Sequence, residues 1–210
     1  MKMYPFCKRL TDLICSFTAI VILLVPMAII AVIIRLSSKG PAVFRQTRAG
    51  KNAKPFTLYK FRTMTTEADP FGPSPKSGSD PRLTKIGLFL REYSLDELPQ
   101  LFNILKGDMS LVGPRPLYIS QIKEWNDRQK RRLDVKPGLT GLAQISGRGH
   151  LTREEKLEYD VEYVESAGFS YDLKIIFKTF FAVLGKSEIY EKQYSKDQTT
   201  RASDSSENQL

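Results

Sequence analysis

The pattern of hydrophobic and polar positions is dominated by one segment near the N-terminus. No charged side chain occurs in the 22 positions from Leu13 to Ile34. As an α-helix, such a run extends for about 33 Å, which matches a bilayer hydrocarbon core of roughly 30 Å. It is too long for the apolar part of a cleaved signal peptide, and no small-residue cleavage site follows it. The pattern therefore predicts one membrane element, within residues 1–36.

Pro26 lies near the middle of this run. A proline removes a backbone donor and clashes with the preceding helical turn. Basic residues, which favour the cytoplasmic face of a membrane, flank the run on both sides: Lys2, Lys8 and Arg9 before it, and Arg35, Lys39, Arg45 and Arg48 after it. A re-entrant helix that bends at Pro26 would keep both flanks on that face. An ordinary kinked span also tolerates proline, and the residues alone leave both possibilities open.

The remainder of the chain predicts an α+β fold, mainly helical with a small β-hairpin. Apolar and aromatic runs at Val43–Thr47 and Pro55–Thr63 predict the hairpin. Residues 67–82 are rich in Pro, Gly, Ser and Asp, which is typical of a long loop. Apolar spacing and end signals predict helices in segments 83–93, 96–105, 116–133, 152–166 and 171–184. Thr152 and Glu155 form a capping box that marks the start of the fourth of these helices.

The domain organisation follows from these segments. We expect a membrane-associated element over 1–36 and a globular cytoplasmic domain over 37–188. From Glu191 the chain is polar and poor in hydrophobic residues, which predicts a disordered tail over 189–210.

Composition narrows the classes of partner. The 210 residues include 32 basic and 23 acidic side chains, so the formal charge is 32 − 23 = +9. A basic chain suits anionic partners such as acidic lipid, nucleic acid or a phosphorylated substrate. The only two cysteines, Cys7 and Cys15, exclude a disulfide framework and a cysteine-based zinc site. We expect no nucleic-acid partner, because the basic residues are scattered and no binding module is visible.

Asp96 and Glu97 form the first candidate for chemistry. Pro99 belongs in the first turn of a helix, so this helix is expected to start near Ser94–Asp96. In a structural interpretation, Ser94 and Glu97 form a capping box, with acids favoured at the helix N-terminus. In a functional interpretation, the same N-terminus keeps Asp96 ionised as a nucleophile or Mg²⁺ ligand.

Two further segments carry weaker signals. Pro114 and Pro116 bracket Arg115, whose guanidinium suits bidentate phosphate binding, although such an arginine is often structural. Segment 136–148 contains several glycines that could bring backbone N–H groups close to a ligand, although turn formation is the default explanation. His150 is the only histidine, and we interpret it as a loop residue rather than a metal ligand or a triad member.

Together, these segments resemble the bacterial sugar transferase family, and specifically its small monotopic phosphoglycosyl transferases, which begin the assembly of polyprenyl-linked glycans. The resemblance covers roughly residues 4–184. The stretches that carry it are 8–13, 40–64, 83–117, 135–148, 159–164 and 171–179.

This resemblance implies a ping-pong reaction at the cytoplasmic face of the bacterial inner membrane. Asp96 matches the family nucleophile, which would take the sugar phosphate from a UDP-sugar, release UMP and pass the group to polyprenyl phosphate. Glu97 matches the second acid of the dyad, with an acid–base or metal-positioning role. Mg²⁺ is the implied cofactor, with Asp96 as its ligand. Arg91 and the Pro114, Arg115 and Pro116 motif match positions near the phosphates and the nucleotide.

The resemblance also favours the re-entrant helix, with Pro26 as its bend. The half-immersed helix and its basic flanks would hold Asp96 at the level of the lipid headgroups. Val25 stands where many family members have serine before the proline, so a hydroxyl that could bind a freed carbonyl is missing. Segment 147–160 also differs from familiar members and could bear on the choice of sugar.

Two alternatives compete with this hypothesis. A membrane-anchored basic adaptor without catalysis explains the charge and the apolar run, but not the combination of acid pair, Pro-Arg-Pro motif and glycine-rich segment. A direct glycosyltransferase would release UDP instead of UMP. The identity of the nucleotide product separates the two enzymes, and replacement of Asp96 separates an enzyme from an adaptor.

Overall fold

The structure, a computed structural model, describes residues 3–184 except 71, 73 and 76. Within these residues the fold is mainly helical with a small antiparallel hairpin, which confirms the predicted class. The tail expected over 189–210 lies outside the described residues. The helices are α1 Met3–Ser37, α2 Lys85–Glu92, α3 Gln100–Lys106, α4 Asp127–Lys130, α5 Leu142–Ser146, α6 Arg153–Ser166 and α7 Phe169–Leu184. The strands are β1 Val43–Ala49, β2 Pro55–Phe61, β3 Ser110–Val112 and β4 Gly138–Thr140.

The predicted hairpin is confirmed. Strands β1 and β2 pair antiparallel, with Val43 opposite Phe61 and Ala49 opposite Pro55. Leu58 on β2 is buried in a core cluster with Leu101 and Ile104 of α3. The hairpin therefore packs against α3 through β2, which lies between α3 and β1.

Helix α1 is one continuous helix, with Pro26 inside it. It is the one described helix that is long and apolar enough to cross a membrane. One face packs on the globular body through Ile20, Met27 and Ile34, which belong to two core clusters. The remaining faces expose large apolar side chains, among them Phe17, Val21, Ile22, Leu24, Val25, Ile29 and Val32. A helix with one packed face and several apolar exposed faces suits a lipid environment.

Polar contacts join both ends of α1 to the same body. Near the N-terminal end, Lys8 Nζ lies 2.7 Å from Asp172 Oδ2, and Asp12 Oδ1 accepts a hydrogen bond from Leu111 N. At the C-terminal end, the buried Arg62 donates to the carbonyls of Ile34 and Ser38. Both ends of the helix are therefore held by the domain that follows it.

Three local expectations differ from the structure. Segment 116–133 is not one helix, because it divides into a 3₁₀ segment Ile119–Glu124, the short α4 and a second 3₁₀ segment Arg131–Asp134. Ser94 makes no capping hydrogen bond with its side chain, so the capping box with Glu97 is wrong. The parallel pair β3–β4 was not expected from the pattern, since each strand has only three residues.

Candidate active site

Asp96 and Glu97 lie on a tight turn between α2 and α3. Ser94 has φ 56°, in the left-handed region, and residues Leu95–Glu97 form a single 3₁₀ turn. Pro99 follows, and the regular helix α3 begins only at Gln100, because proline suits the start of a helix. The two acids therefore precede α3, and the prediction that the helix starts near Ser94–Asp96 is wrong, because the regular helix starts later.

The flanking leucines hold the turn against the membrane helix. Leu95 and Leu98 pack on the core cluster that contains Met27 and Ile34 of α1. Asp96 is 6% exposed. Asp96 is therefore buried and Glu97 is partly buried, on a turn whose leucines pack against the middle and C-terminal half of α1.

Two cations complete the site. Lys60 of β2 donates from Nζ to Glu97 Oε1 at 2.6 Å, and the same nitrogen lies 3.9 Å from Asp96 Oδ2. Arg115 donates from Nη2 to Glu97 Oε1 at 2.9 Å. One oxygen of Glu97 thus binds both cations, and Asp96 has the weaker ion pair.

Asn103 explains why Lys60 lies at this point. Its fully buried amide accepts a hydrogen bond from Tyr59 N and donates one to Thr57 O, so it pairs with the free edge of β2. These two bonds fix the register between β2 and α3. The side chain of Lys60 consequently reaches the turn that begins α3.

The two carboxyl groups have opposite electrostatic environments. Burial raises the pKa of Asp96, Lys60 partly offsets this increase, and the negative charge of Glu97 adds to it. Burial would also raise the pKa of Glu97, but Arg115 and Lys60 outweigh it and hold that pKa well below its ordinary value. Glu97 is therefore stabilised as a carboxylate, whereas burial opposes the ionisation of Asp96 and nearby positive charge favours it. The expectation that a helix N-terminus keeps Asp96 ionised is wrong in this respect, because the turn precedes α3 and burial is the larger effect.

Arg91 supplies part of that charge. It lies in the last turn of α2, and its Nε donates to Thr63 Oγ1 at 3.1 Å. Its positive charge lowers the pKa of Asp96, although less than Lys60 does. The structure thus brings Arg91 into the electrostatic surroundings of the acid pair.

The Pro-Arg-Pro segment follows β3 directly. Pro114 and Pro116 are buried, and Arg115 between them is exposed. The carbonyl of Pro114 accepts a hydrogen bond from Gly138 N at 2.9 Å. The segment is therefore anchored on both sides of an arginine whose side chain extends to Glu97.

A buried ion pair lies behind Arg115. Arg132 Nη2 donates to the backbone carbonyl of Arg115 at 2.5 Å. The same guanidinium binds Asp160 Oδ2 through Nε and Nη2 and lies 4.8 Å from the ring centre of Trp125. Arg132 and Asp160 are each 3% exposed. This pair holds the backbone from which Arg115 reaches the acids.

The glycine-rich segment supports the same loop. A Cβ added to Gly138 would lie 2.1 Å from Gly113 N, so the two backbones pack too closely for any side chain. Gly113 immediately precedes the Pro-Arg-Pro segment. In the described structure these contacts give Gly138 a packing role. His150 is exposed in a short 3₁₀ segment, as a loop residue would be.

The structure adds side chains that the sequence did not single out. Lys60, Arg132 and Asp160 contact the acid pair or the Arg115 loop, but each comes from a different element. The apolar and aromatic run predicted the strand that contains Lys60, but nothing in the sequence indicated the partner of this lysine. For the other two, no local pattern distinguished them from surface charges.

These features define a class of protein: a membrane-associated enzyme whose acid pair and cations suit a phosphorylated substrate. The chain matches the family model described as "Bacterial sugar transferase" over residues 3–186. It belongs to that family, and the predicted membership is confirmed. The chain is accordingly a sugar transferase, an enzyme and not a non-catalytic adaptor.

Named relatives give the same result. The chain is 46% identical to "Uncharacterized sugar transferase EpsL" of Bacillus subtilis, over 89% of this chain and 92% of the relative. It is 41% identical to "Galactosyl transferase CpsE" of Streptococcus agalactiae, over 88% of this chain and 44% of the relative. It is 43% identical to "UDP-glucose:undecaprenyl-phosphate glucose-1-phosphate transferase" of Escherichia coli, over 83% and 39%. The chain thus spans nearly all of the first relative and less than half of the other two.

Proposed function

We propose that this protein transfers a sugar 1-phosphate from a UDP-sugar to polyprenyl phosphate, with release of UMP. The observation that carries this proposal is the buried Asp96 beside the ionised Glu97, with Lys60 and Arg115 around them. The name of the E. coli relative specifies a UDP-sugar donor and an undecaprenyl-phosphate acceptor. Transfer to a polyprenyl carrier would start the assembly of a lipid-linked glycan.

In the first half-reaction, a carboxylate oxygen of Asp96 would attack the β-phosphorus of the donor. The bond between that phosphorus and the bridging oxygen would break, and its electron pair would leave with UMP. In the second half-reaction, a phosphate oxygen of the lipid would attack the same phosphorus and restore the Asp96 carboxylate. Each step exchanges one P–O bond for another, so no further reactant is needed.

Arg115 and Glu97 would change partners when the donor binds. Arg115 is half-exposed and binds Glu97 in this structure, so the side chain can turn toward a phosphate without leaving its backbone anchor. Guanidinium groups bind phosphate oxygens in a bidentate manner.

We propose Mg²⁺ as the cofactor. Mg²⁺ in phosphoryl-transfer sites is commonly held by one or two carboxylates together with substrate phosphates, and Asp96 and Glu97 supply that donor set. The described residues contain no group of three or more His, Cys, Asp or Glu side chains suited to a metal, so substrate oxygens would complete the coordination. When bound, Mg²⁺ would offset the negative charge of the diphosphate.

We propose that α1 is re-entrant and that the site lies at the cytoplasmic face. Both ends of α1 bind the same globular body, through Asp12 near one end and Arg62 at the other. A helix held in this way would cross the membrane only if one of these contacts broke, and Pro26 would be the bend. Helix α7 extends the apolar surface with exposed Phe177, Phe180 and Phe181.

A product assay tests the reaction. The purified protein in lipid nanodiscs is incubated with Mg²⁺, polyprenyl phosphate and, in turn, each member of a panel of UDP-sugars. We expect UMP and a lipid-linked sugar diphosphate with at least one donor, and no product after chelation of Mg²⁺. Release of UDP would instead establish direct glycosyl transfer and overturn the proposal.

A further inference from the structure

Arg48 on β1 is a cation that the proposed mechanism does not yet use. Within the described part of the chain, no carboxylate lies within ion-pair distance of Arg48. Its Nε is buried and has no hydrogen-bond partner. Its Nη2 donates to Gln46 Oε1 at 2.5 Å, and its guanidinium lies 3.5 Å from the ring centre of Tyr118. A buried hydrogen-bond donor without an acceptor destabilises a protein unless a ligand supplies the acceptor.

Arg48 is also close to a second arginine. Strand β1 is tied to the Pro-Arg-Pro segment by a hydrogen bond from Ala49 N to Leu117 O at 3.0 Å, and the ring of Tyr118 follows one residue later. Burial lowers the pKa of Arg48 to about 10, Tyr118 opposes that decrease, and the positive charge of Arg115 adds to it. Both arginines remain charged at neutral pH, so an anion between them would relieve their repulsion.

The register of the hairpin places Lys60 and Arg48 on the same face. Phe44 is opposite Lys60, and Arg48 is opposite Phe56. Because opposite residues share a face and side chains alternate, Lys60 and Arg48 belong to the same face. The strand positions that contain Lys60 and Arg48 are four residues apart along the hairpin, which corresponds to about 13 Å at roughly 3.3 Å per residue. Lys60 lies at the acid pair, and Arg48 lies farther along the same face of the hairpin.

We propose that Arg48 binds the α-phosphate of the nucleotide donor and stabilises the negative charge on UMP as it leaves. This inference rests on the proposed function. In the first half-reaction the bond from the β-phosphorus to the bridging oxygen breaks, and the electron pair stays on the phosphate of UMP. Arg48 would bind that phosphate through Nε and its neighbouring guanidinium nitrogen, while Tyr118 holds the plane of the group.

The anchoring of Gln46 supports a fixed position for this arginine. Gln46 is buried, and its Nε2 donates to Pro70 O at 2.6 Å and to Tyr118 Oη at 3.2 Å. Gln46 thereby joins Arg48, Tyr118 and the loop around Pro70 in one hydrogen-bonded group. A guanidinium held in this way loses little conformational freedom when it binds an anion.

The two half-reactions give a test that separates nucleotide phosphate from lipid phosphate. In a ping-pong reaction, kcat/KM for the donor reports only the first half-reaction, and kcat/KM for the acceptor reports only the second. For Arg48→Met we expect kcat/KM for the UDP-sugar to fall about 10- to 100-fold, the effect of one charged hydrogen bond. We expect kcat/KM for polyprenyl phosphate to stay within about twofold of wild type.

Matched variants and a direct binding measurement complete the experiment. Arg128→Met removes the same charge from an exposed arginine on α4 that pairs with Glu158 and Glu165, and should leave both constants near wild type. Arg48→Lys keeps the charge without the planar group and should give an intermediate loss. Calorimetric titration with UMP should show weaker binding for Arg48→Met and unchanged binding for Arg128→Met.

Each outcome is decisive. If Arg48→Met is folded by melting temperature, binds UMP as wild type does and keeps its donor kcat/KM, this inference is overturned and the proposed function stands. If the acceptor constant falls instead, Arg48 binds the lipid phosphate and the assignment to the nucleotide is wrong. If wild type releases no UMP with any donor, the proposed function fails, and the role of Arg48 fails with it.

Discussion

Asp96 and Glu97 are neighbours in the sequence, but their carboxyl groups are in opposite electrostatic states. Glu97 shares one oxygen between Lys60 and Arg115 and is stabilised as a carboxylate. Asp96 is buried and only 3.9 Å from Lys60 at its nearest, so its pKa is raised. This division suits a pair in which Glu97 organises the cations and Asp96 is the reactive group.

Replacement of Asp96 by asparagine should abolish transfer without unfolding the protein. The amide cannot form the acyl phosphate, so UMP release should fall to background. A raised folded-state pKa means that the stability contributed by Asp96 is present below its unfolded-state pKa and is lost as the pH rises through the folded-state value. Asparagine resembles the neutral acid, so the melting temperature at neutral pH should equal or exceed that of wild type.

The control for this variant is Asp127→Asn, because the side chain of Asp127 is fully exposed. Both variants are measured for UMP release and for thermal unfolding in the same nanodiscs. Substantial turnover by purified Asp96→Asn would show that another group is the nucleophile. A large drop in its melting temperature would contradict the expected cost of burying Asp96.

Lys60 should control the acid limit of the reaction. Its charge lowers the pKa of Asp96, so Lys60→Met should raise that pKa and move the acid limb of the pH–rate profile upward by roughly one unit or more. The measurement is UMP release in the first half-reaction across a pH series. Lys106→Met, which removes an exposed lysine paired with Asp108, should leave the limb unchanged, and an unchanged limb in Lys60→Met would refute the coupling.

At the scale of elements, the acid pair depends on side chains from other segments that hold its two cations in place. Helix α6 supplies Asp160, a 3₁₀ segment supplies Arg132, and together they hold the carbonyl of Arg115. Asn103 of α3 fixes β2 and therefore Lys60. These elements bring Lys60 and Arg115 to the adjacent Asp96 and Glu97.

Asp160→Asn should be strongly destabilising and should weaken donor binding. Removal of one partner leaves the Arg132 guanidinium buried without a counter-charge, which costs about 3–5 kcal/mol. We also expect a higher KM for the UDP-sugar, because the backbone of Arg115 loses its anchor. Denaturant unfolding and steady-state kinetics measure the two effects.

Glu158→Gln is the matched control. Glu158 lies on the same helix as Asp160, but its ion pair with Arg128 is exposed. Exposed pairs contribute less than about 1 kcal/mol, so this variant should behave as wild type. Equal effects of the two substitutions would mean that the buried pair has no special role.

At the scale of the whole molecule, the long apolar helix and the domain form one body. Core clusters include side chains from α1 together with β2, α2 and α3. Hydrogen bonds of Asp12 and Arg62 join the two ends of α1 to the domain. This packing brings the acid turn beside the long apolar helix, where the nucleotide donor and the lipid phosphate of the proposed reaction would meet.

Cysteine accessibility should place both ends of α1 on the same side of the membrane. In a Cys7→Ser, Cys15→Ser background, Pro5→Cys and Lys39→Cys each add one exposed thiol at opposite ends of the apolar run. A membrane-impermeant maleimide should label both variants in inverted vesicles and neither in intact spheroplasts. Labelling of the two variants from opposite sides would establish a spanning helix and contradict the re-entrant proposal.

The sequence by itself determined the elements whose signals are local. The apolar run predicted α1, short apolar and aromatic runs predicted the hairpin, and the capping box of Thr152 and Glu155 predicted the start of α6, where Thr152 Oγ1 accepts a hydrogen bond from Glu155 N. The motifs around Asp96 and Arg115 predicted the family. Each signal depends on spacing within one turn or one strand, or on a continuous motif, and can be read without knowledge of distant contacts.

Only the tertiary structure decided which charges meet. Lys60 and Glu97 are separated by 37 positions, and Arg132 and Asp160 by 28, so no local pattern could pair them. Segment 116–133 shows the same limit, because its polar–apolar spacing predicted one helix and the structure divides it into three short segments. The physical reason is that ion pairs and backbone anchors act through space, and their partners are chosen by how α1, α3 and the hairpin pack together.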